Sequence, residues 1–179
     1  METFADAVAD TAAISTEEAL SIFDRLDPIE VKAMFGPWKG SGFPTHHPLD
    51  GALEAYHWHG KRFDSAEQVH PLMFETGRGG TVCVNPLWLL PLLGWINRWP
   101  IPKSKTMGHM AQIALRLLST QRSGARLRLT HYRGKTSATM IYDHLPIHDV
   151  FRRVDDLTVL GLMDLKGMEQ PFFFVLQRE

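Results

Sequence analysis

Two hairpin-like segments in the last third of the chain constrain the fold most strongly. They are "ARLRLTHYRGKTSATMIYD" (residues 125–143), with a tight turn at 133–135, and "DDLTVLGLMDLKGMEQPFFFVLQRE" (residues 155–179), which turns around 166–167. Short strands that follow one another through tight turns predict an antiparallel meander. Such a sheet removes its exposed edges most completely by closing into a barrel. The final strand should place Phe172 and Phe174 on one face and Phe173 on the other.

The rest of the chain predicts helices before and inside this barrel. A length of 179 residues is the size of one domain. We expect a helical cap over residues 1–35 and a single mainly β domain over 36–179, with a helical insertion at about 86–124. Ser15 and Glu18 have the spacing of a capping box, and "DPIE" (residues 27–30) predicts a second helix start.

The most apolar run, "PLWLLPLLGWINRWP" (residues 86–100), lies in the predicted insertion. It is shorter than the roughly 20 residues that a membrane-spanning helix needs, and Pro91 interrupts it. Three interpretations remain open: a buried core helix, a lid or portal over a pocket, and a surface that docks a partner. A docking role would include a homodimer.

Charge and cysteine content exclude several classes of partner. The formal net charge is −1, which gives no electrostatic drive toward nucleic acid or an anionic membrane. One cysteine, Cys83, excludes an internal disulfide, and a reducing cytoplasm is the expected location. The N-terminal residues lack the basic and apolar pattern of a signal peptide. We expect Cys83 to be a buried, inert thiol.

The stretch "GPWKGSGFPTHHPLDG" (residues 36–51) could be a phosphate loop, a metal site or a strand. Its glycines follow a helix and enter a strand, the reverse of a dinucleotide fingerprint, and no Gly-Lys-Ser/Thr ending occurs. The glycines at 36, 40 and 42 share the parity of Trp38, so on a strand they would leave space for a bulky ring.

A pair of histidines is the other metal-like pattern. His57 and His59 are two residues apart and would share a strand face. Trp58 and Tyr56 would occupy the other face, and if that face is the inner one the histidines meet solvent. We predict no metal site.

Ionisable residues embedded in apolar strands are the candidates for proton chemistry, because burial raises the pKa of a carboxyl group. They are Asp143, Asp149, Asp164, Tyr142, Lys61 as an anion stabiliser, and His70. Structural alternatives stand beside each: Asp143 could bond backbone amides in a turn, Asp149 could cap a short helix, and His70 could be a satisfied core histidine.

Three long blocks resemble one family. "FGPWKGSGFPTHHPLDG", "WHGKRFDSAEQVHPLMF" and "MIYDHLPIHDVFRRVDDLTVLGLMDLKG…PFFFVLQRE" are similar to bacterial and fungal proteins that join a GXWXG-motif domain to a C-terminal domain of unknown function. The spacing Gly36-x-Trp38-x-Gly40-x-Gly42 also resembles the opening strand of nitrobindins and related fatty-acid-binding-like barrels. This resemblance implies an antiparallel calycin-like barrel.

Several nitrobindin-like barrels hold haem through a histidine in the C-terminal part of the barrel. Only His131, His144 or His148 could serve here, and none sits in a matching motif. Haem is therefore an alternative, and otherwise no cofactor is expected.

The sequence leaves four functions open. The first is a soluble barrel that binds a small hydrophobic molecule, with walls from Trp38, Trp58, Phe74, Tyr142, Phe172 and Phe174. The second is a cofactor-independent lyase or isomerase acting on a small apolar oxygenated substrate, such as a terpenoid epoxide. The third is haem binding, and the fourth is an interaction module that docks through residues 86–100.

Overall fold

The structure is a computed structural model that describes residues 4, 13–77, 79–89 and 118–179. Within these ranges no helix is both long enough and apolar enough to cross a membrane. The predicted helical insertion falls mostly on residues 90–117, which lie outside the described residues. The roles considered for residues 86–100 therefore stay predictions.

Eight antiparallel strands close into a barrel, which confirms the predicted fold class. The strands found in the described ranges are β1 (Asp27–Pro28), β2 (Gly36–Gly42), β3 (Trp58–Phe63), β4 (Val69–Thr76), β5 (Gly80–Cys83), β6 (Ala125–Tyr132), β7 (Lys135–Tyr142), β8 (Ile147–Arg153), β9 (Thr158–Leu165) and β10 (Phe172–Arg178). The ring runs β8-β7-β6-β4-β3-β2-β10-β9 and returns from β9 to β8, while β1 pairs with β8 and β5 with β4 outside it. Each ring pairing is antiparallel, as the two predicted hairpins require.

The N-terminal helices differ in part from the prediction. Helix α1 (Thr16–Arg25) begins at the predicted capping box, in which the Ser15 hydroxyl accepts from the Glu18 amide and the Glu18 carboxylate accepts from the Ser15 amide. The prediction of a second helix starting at residues 27–30 was wrong. Asp27–Pro28 pairs with β8 as β1, and only a 3-10 turn, Val31–Met34, follows. Further short helices are α2 (Ala52–Ala55) and a 3-10 turn at Pro86–Leu89.

The barrel wall has an apolar layer on each side. One cluster fills the interior and includes Phe172 and Phe174. A second cluster lies outside, where Phe23 of α1 packs against Phe173, with ring centroids 6.2 Å apart. The predicted alternation of the three phenylalanines is confirmed. Because α1 covers the outer face of β8, β9 and β10, apolar residues of both parities are buried on these strands.

Two register shifts decide what faces inward on β3 and β4. The cross-strand partners are Trp58 with Phe74, Gly60 with Met73, and Arg62 with His70, so one extra residue is inserted first on β3 and then on β4. A bulge of this kind reverses the parity of the residues beyond it. Consequently Trp58 and Phe63 both pack in the interior although their positions have opposite parity.

The chain before β3 is not the strand that a shared face for His57 and His59 would require. Ala52–Ala55 is helical, and His57 has a positive φ of 56° at the entrance to β3. His57 and His59 therefore do not share one strand face, which removes the geometric basis of the histidine pair.

Candidate functional site

A buried ion pair crosses the barrel interior. The Lys61 ammonium on β3 lies 2.8 Å from Asp149 Oδ2 on β8, and the two side chains are 4% and 2% exposed. Asp149 projects inward because it lies between Ile147 and Phe151, which belong to the interior cluster. The helix cap considered for Asp149 is thus wrong, since the residue is in the middle of a strand.

Aromatic rings surround the ammonium group. Lys61 Nζ lies 4.9 Å from the ring centroid of Phe174, 5.5 Å from Trp58 and 5.9 Å from Tyr142, all within cation–π range. Its second polar contact is a donated hydrogen bond of 3.3 Å to the Pro71 carbonyl. The charge therefore sits in a largely apolar box in which water is replaced by ring faces.

Burial dominates the proton affinities of the acidic groups here. Desolvation raises the pKa of Asp149, and the neighbouring Lys61 charge opposes that rise in part, with a smaller opposing effect from His148. Desolvation also raises the pKa of the Tyr142 hydroxyl well above its ordinary value, and the negative charge of Asp149 raises it further. Tyr142 is therefore a neutral hydrogen-bonding group at physiological pH.

Two polar atoms in this cluster have no hydrogen-bond partner among the described residues. They are the indole nitrogen of Trp58, a donor, and Asp149 Oδ1, an acceptor. Buried polar atoms in proteins are nearly always hydrogen-bonded, so each orphaned atom calls for an explanation. A donor and an acceptor left open beside one ion pair could hold a polar group of a bound molecule.

Glycines make room for the rings of the box, as the GPWKGSG strand predicted. A Cβ on Gly40 would lie 1.9 Å from the six-membered ring of Trp58, and one on Gly161 would lie 2.4 Å from the Phe174 ring. The ring that needs Gly40 is Trp58 on the adjacent strand and not Trp38. The Trp58 and Phe174 rings then meet edge to face, with centroids 5.9 Å apart.

The other predicted wall residues lie in the same interior layer or at its edge, and Trp38 is the cross-strand partner of Lys61. Trp38 is buried against the 3-10 turn, where its indole nitrogen donates 2.7 Å to the Met34 carbonyl. Phe172 packs against His47 at 5.2 Å between ring centroids. Phe74 is half-buried at the edge of the interior cluster.

The structure places Asp143 and Asp164 away from the site. Both are on the exterior: Asp143 lies 3.6 Å from Arg126 Nε, and Asp164 is exposed. Asp164 does share a strand face with Leu160 and Leu162, as predicted, but this face is the outer one. Helix α1 covers the two leucines and leaves Asp164 exposed. The interior role expected for these two carboxylates is therefore wrong.

His70 is buried on the outer side of the wall. It faces the same way as its cross-strand partner Arg62, and its Nε2 lies 3.2 Å from Asp64 Oδ2. Desolvation lowers the pKa of His70, and the Arg62 charge lowers it further, while Asp64 opposes both. Since Lys61 points inward, His70 and the ion pair are on opposite sides of the barrel wall.

The described residues offer no metal or haem ligand set at the site. No group of three or more His, Cys, Asp or Glu side chains among them is placed to hold a metal ion. The three candidate haem ligands, His131, His144 and His148, are all exposed. Cys83 is half-buried and not fully buried as expected, and desolvation raises the pKa of its thiol.

Sequence reasoning found Lys61, Asp149, Tyr142, Trp58 and Phe174 separately but did not pair them. The pairing depends on β3 and β8 facing each other across the barrel, which no local pattern encodes. The Pro71 carbonyl was not predicted as a contact of Lys61 either, because any residue type has a backbone carbonyl and the sequence does not mark which one accepts.

Comparisons with known proteins agree with this architecture. A family model described as "GXWXG protein" matches residues 21–79, and one described as a domain of unknown function (DUF4334) matches residues 123–178. Among solved structures, a crystal structure of a protein from Thermomonospora curvata is similar, at 32% identity and a TM-score of 0.68 over 98% of this chain and 95% of that chain. No curated protein matches the chain significantly.

Proposed function

Because the chain belongs to the GXWXG family with its C-terminal domain of unknown function, and forms its barrel around a buried ion pair, we propose that it binds one small, largely apolar molecule beside Lys61 and Asp149. The observation that carries the proposal is the pair of orphaned polar atoms, Trp58 Nε1 and Asp149 Oδ1, inside an aromatic box. Binding sites for small molecules typically combine apolar walls with a few fixed polar groups.

The orphaned atoms indicate the chemistry of the ligand. A carbonyl, ether or epoxide oxygen can accept from the Trp58 indole, and a hydroxyl can in addition donate to Asp149 Oδ1. Leaving a buried donor unpaired costs about 1–3 kcal/mol, so an oxygen that pairs with it gains affinity over a hydrocarbon of the same shape. The ligand is thus an apolar molecule with one oxygen function.

Saturable binding of a hydrophobic fluorescent probe tests the proposal. The expected result is uptake of one probe per chain and its displacement by an oxygenated terpenoid about tenfold more effectively than by the matching hydrocarbon, as about 1.4 kcal/mol requires. The Trp58→Phe variant keeps an aromatic ring but removes the donor, and should erase this preference.

A matched control is Leu157→Ala, since Leu157 is 60% exposed on the surface. This variant should bind as the unaltered protein does. The proposal fails if no probe binds saturably, or if Trp58→Phe keeps the full preference for oxygenated ligands.

A second function, a cofactor-independent lyase or isomerase, is favoured by the close contact of Lys61 and Asp149. The ammonium nitrogen lies 2.8 Å from a carboxylate oxygen of Asp149, and burial raises the pKa of that carboxyl group. Such a pair could protonate the oxygen of an epoxide, after which the Asp149 carboxylate collects a proton from carbon. Bringing substrate and acid together in an apolar interior would also exclude water from a carbocation-like intermediate.

Turnover of a terpenoid epoxide by purified, chelator-treated protein tests the second function. Asp149→Asn should lose activity by about 100-fold or more, the usual size of a general acid–base contribution. Asp143→Asn, which alters an exposed carboxylate, should keep it. Equal activity of the two variants would remove Asp149 from catalysis.

A further inference from the structure

We propose that Lys61 is a carbonyl-reactive lysine, and that the barrel captures small apolar aldehydes or ketones as an imine on its amine. The inference rests on the proposed function, because it places the ligand in the same interior box and names its class. Lysine amines are the side chains that form Schiff bases with carbonyl compounds, and Lys61 is 4% exposed among aromatic rings.

The contacts of Lys61 fit this role. Its nitrogen has two polar neighbours among the described residues, Asp149 Oδ2 at 2.8 Å and the Pro71 carbonyl at 3.3 Å. Its remaining surroundings are the faces of Phe174, Trp58 and Tyr142. An apolar carbonyl compound lying against these rings therefore meets the nitrogen without an intervening hydration shell.

Asp149 is placed to manage the protons of the reaction. The Lys61 ammonium first gives one proton to the Asp149 carboxylate, which leaves a neutral amine and a neutral acid. The amine lone pair then forms a C–N bond as the carbonyl π pair moves to oxygen, and that oxygen takes the proton from Asp149.

The nitrogen of this carbinolamine now carries a proton, and Asp149 passes it on to the hydroxyl. The C–O bond breaks as water leaves, and the nitrogen lone pair forms C=N. In sum, one ammonium and one carbonyl give one iminium and one water, with no oxidant or reductant consumed. The iminium cation keeps the Asp149 carboxylate and the ring faces as its counterparts.

The orphaned atoms supply the positioning. The Trp58 indole N–H can hold the carbonyl oxygen while nitrogen attacks carbon, and Asp149 Oδ1 can accept from the carbinolamine hydroxyl. The proposal thus accounts for a lysine, a carboxylate and two unpaired polar atoms with one reaction.

Reductive trapping tests the inference. The protein is incubated with about one equivalent of octanal and sodium cyanoborohydride, which reduces the imine to a stable secondary amine. Intact mass should show one octyl group per chain, and peptide mapping should place it on Lys61 at a rate at least about tenfold above any exposed lysine, because the bound aldehyde is held next to that nitrogen.

Two variants and a competitor complete the experiment. Lys61→Arg should lose the fast adduct, whereas Lys39→Arg, which alters an exposed strand residue, should keep it. Octan-1-ol, which can bind but cannot form an imine, should slow trapping. Peptide mapping of the unaltered protein decides the matter even if Lys61→Arg does not fold.

The outcomes separate this inference from the proposed function. Octyl groups spread evenly over exposed lysines, in a protein that still binds octan-1-ol one-to-one by native mass spectrometry, would overturn the imine and leave ligand binding intact. If neither octanal nor octan-1-ol binds, both fail.

Discussion

Removal of Lys61 alone should destabilise the barrel strongly, and increasingly so as pH rises. In Lys61→Met, Asp149 loses its ion-pair partner at a position that is 2% exposed. Methionine has about the length of the lysine stem, so the variant removes the charge with little change in packing. Breaking a fully buried ion pair from one side typically costs about 3–5 kcal/mol, because the other charge stays buried and uncompensated.

The pH dependence follows from the pKa of Asp149. In the folded protein desolvation raises the pKa of Asp149 above its value in the unfolded chain, so the folded state binds the proton more tightly. The stability of the fold therefore falls as pH rises from the unfolded pKa to the folded pKa. The Lys61 charge opposes the rise. Without it, the folded pKa of Asp149 is higher still, and the interval over which stability is lost extends to higher pH, with a slope of up to about 1.4 kcal/mol per pH unit.

Urea unfolding followed by tryptophan fluorescence at several pH values between 4 and 8 measures this effect. The difference between the unaltered protein and Lys61→Met should be small near pH 4 and reach about 3–5 kcal/mol near neutrality. The double variant Lys61→Met/Asp149→Leu, which replaces the pair by apolar side chains, should recover most of the loss at neutral pH. A loss independent of pH, or a double variant as unstable as the single one, would refute the reasoning.

Three further predictions concern the scaffold around the site. Gly40→Ala should cost about 1–3 kcal/mol in urea unfolding, because the added methyl overlaps the Trp58 ring and forces it aside. Gly80→Ala serves as the comparison, because a Cβ there would lie 3.6 Å from its nearest neighbour, Thr76 Oγ1, an ordinary contact. Ser15→Ala should lower stability by about 1 kcal/mol through loss of the α1 cap, and Ser15→Asp should restore most of it. Because burial lowers the pKa of His70, the unfolded state binds its proton more tightly and stability falls as pH drops through about 6.5. A chain carrying His70→Gln should show a flatter profile between pH 7 and 5, and an unchanged slope would contradict this.

The strand order at the C-terminus was readable from sequence because its signals are local. Both Arg133 and Gly134 have a positive φ in this turn, and the glycine, which adopts that conformation readily, marks the turn in the sequence. The hairpin register follows from the turn. Phe172, Phe173 and Phe174 likewise alternate across the wall as their spacing requires. Nothing beyond the immediate neighbours was needed for either prediction.

Which face is the inner one could not be read in the same way. On β9 the residues of one parity line the interior and those of the other pack under α1, so both look apolar and Asp164 was assigned inward. On β3 and β4 the bulges reverse the alternation, so Lys61 points inward while Arg62 and His70 point out. Position along the strand alone cannot reveal a bulge or a helix that covers the outside.

Stability alone does not account for the ion pair in the interior. Two apolar side chains in place of Lys61 and Asp149 would pack against Phe174 and Trp58 without the cost of desolvating two charges. Replacing a buried ion pair in this way often leaves protein stability unchanged or raises it. The pair also leaves Asp149 Oδ1 without a partner among the described residues, which a purely structural salt bridge would be expected to satisfy. An ion pair that adds little net stability and a carboxylate oxygen without a partner among the described residues both support the proposed binding of a ligand beside the pair. The double variant distinguishes these accounts directly: if it is as stable as the unaltered chain and no longer binds oxygenated ligands, the pair serves binding and not the fold.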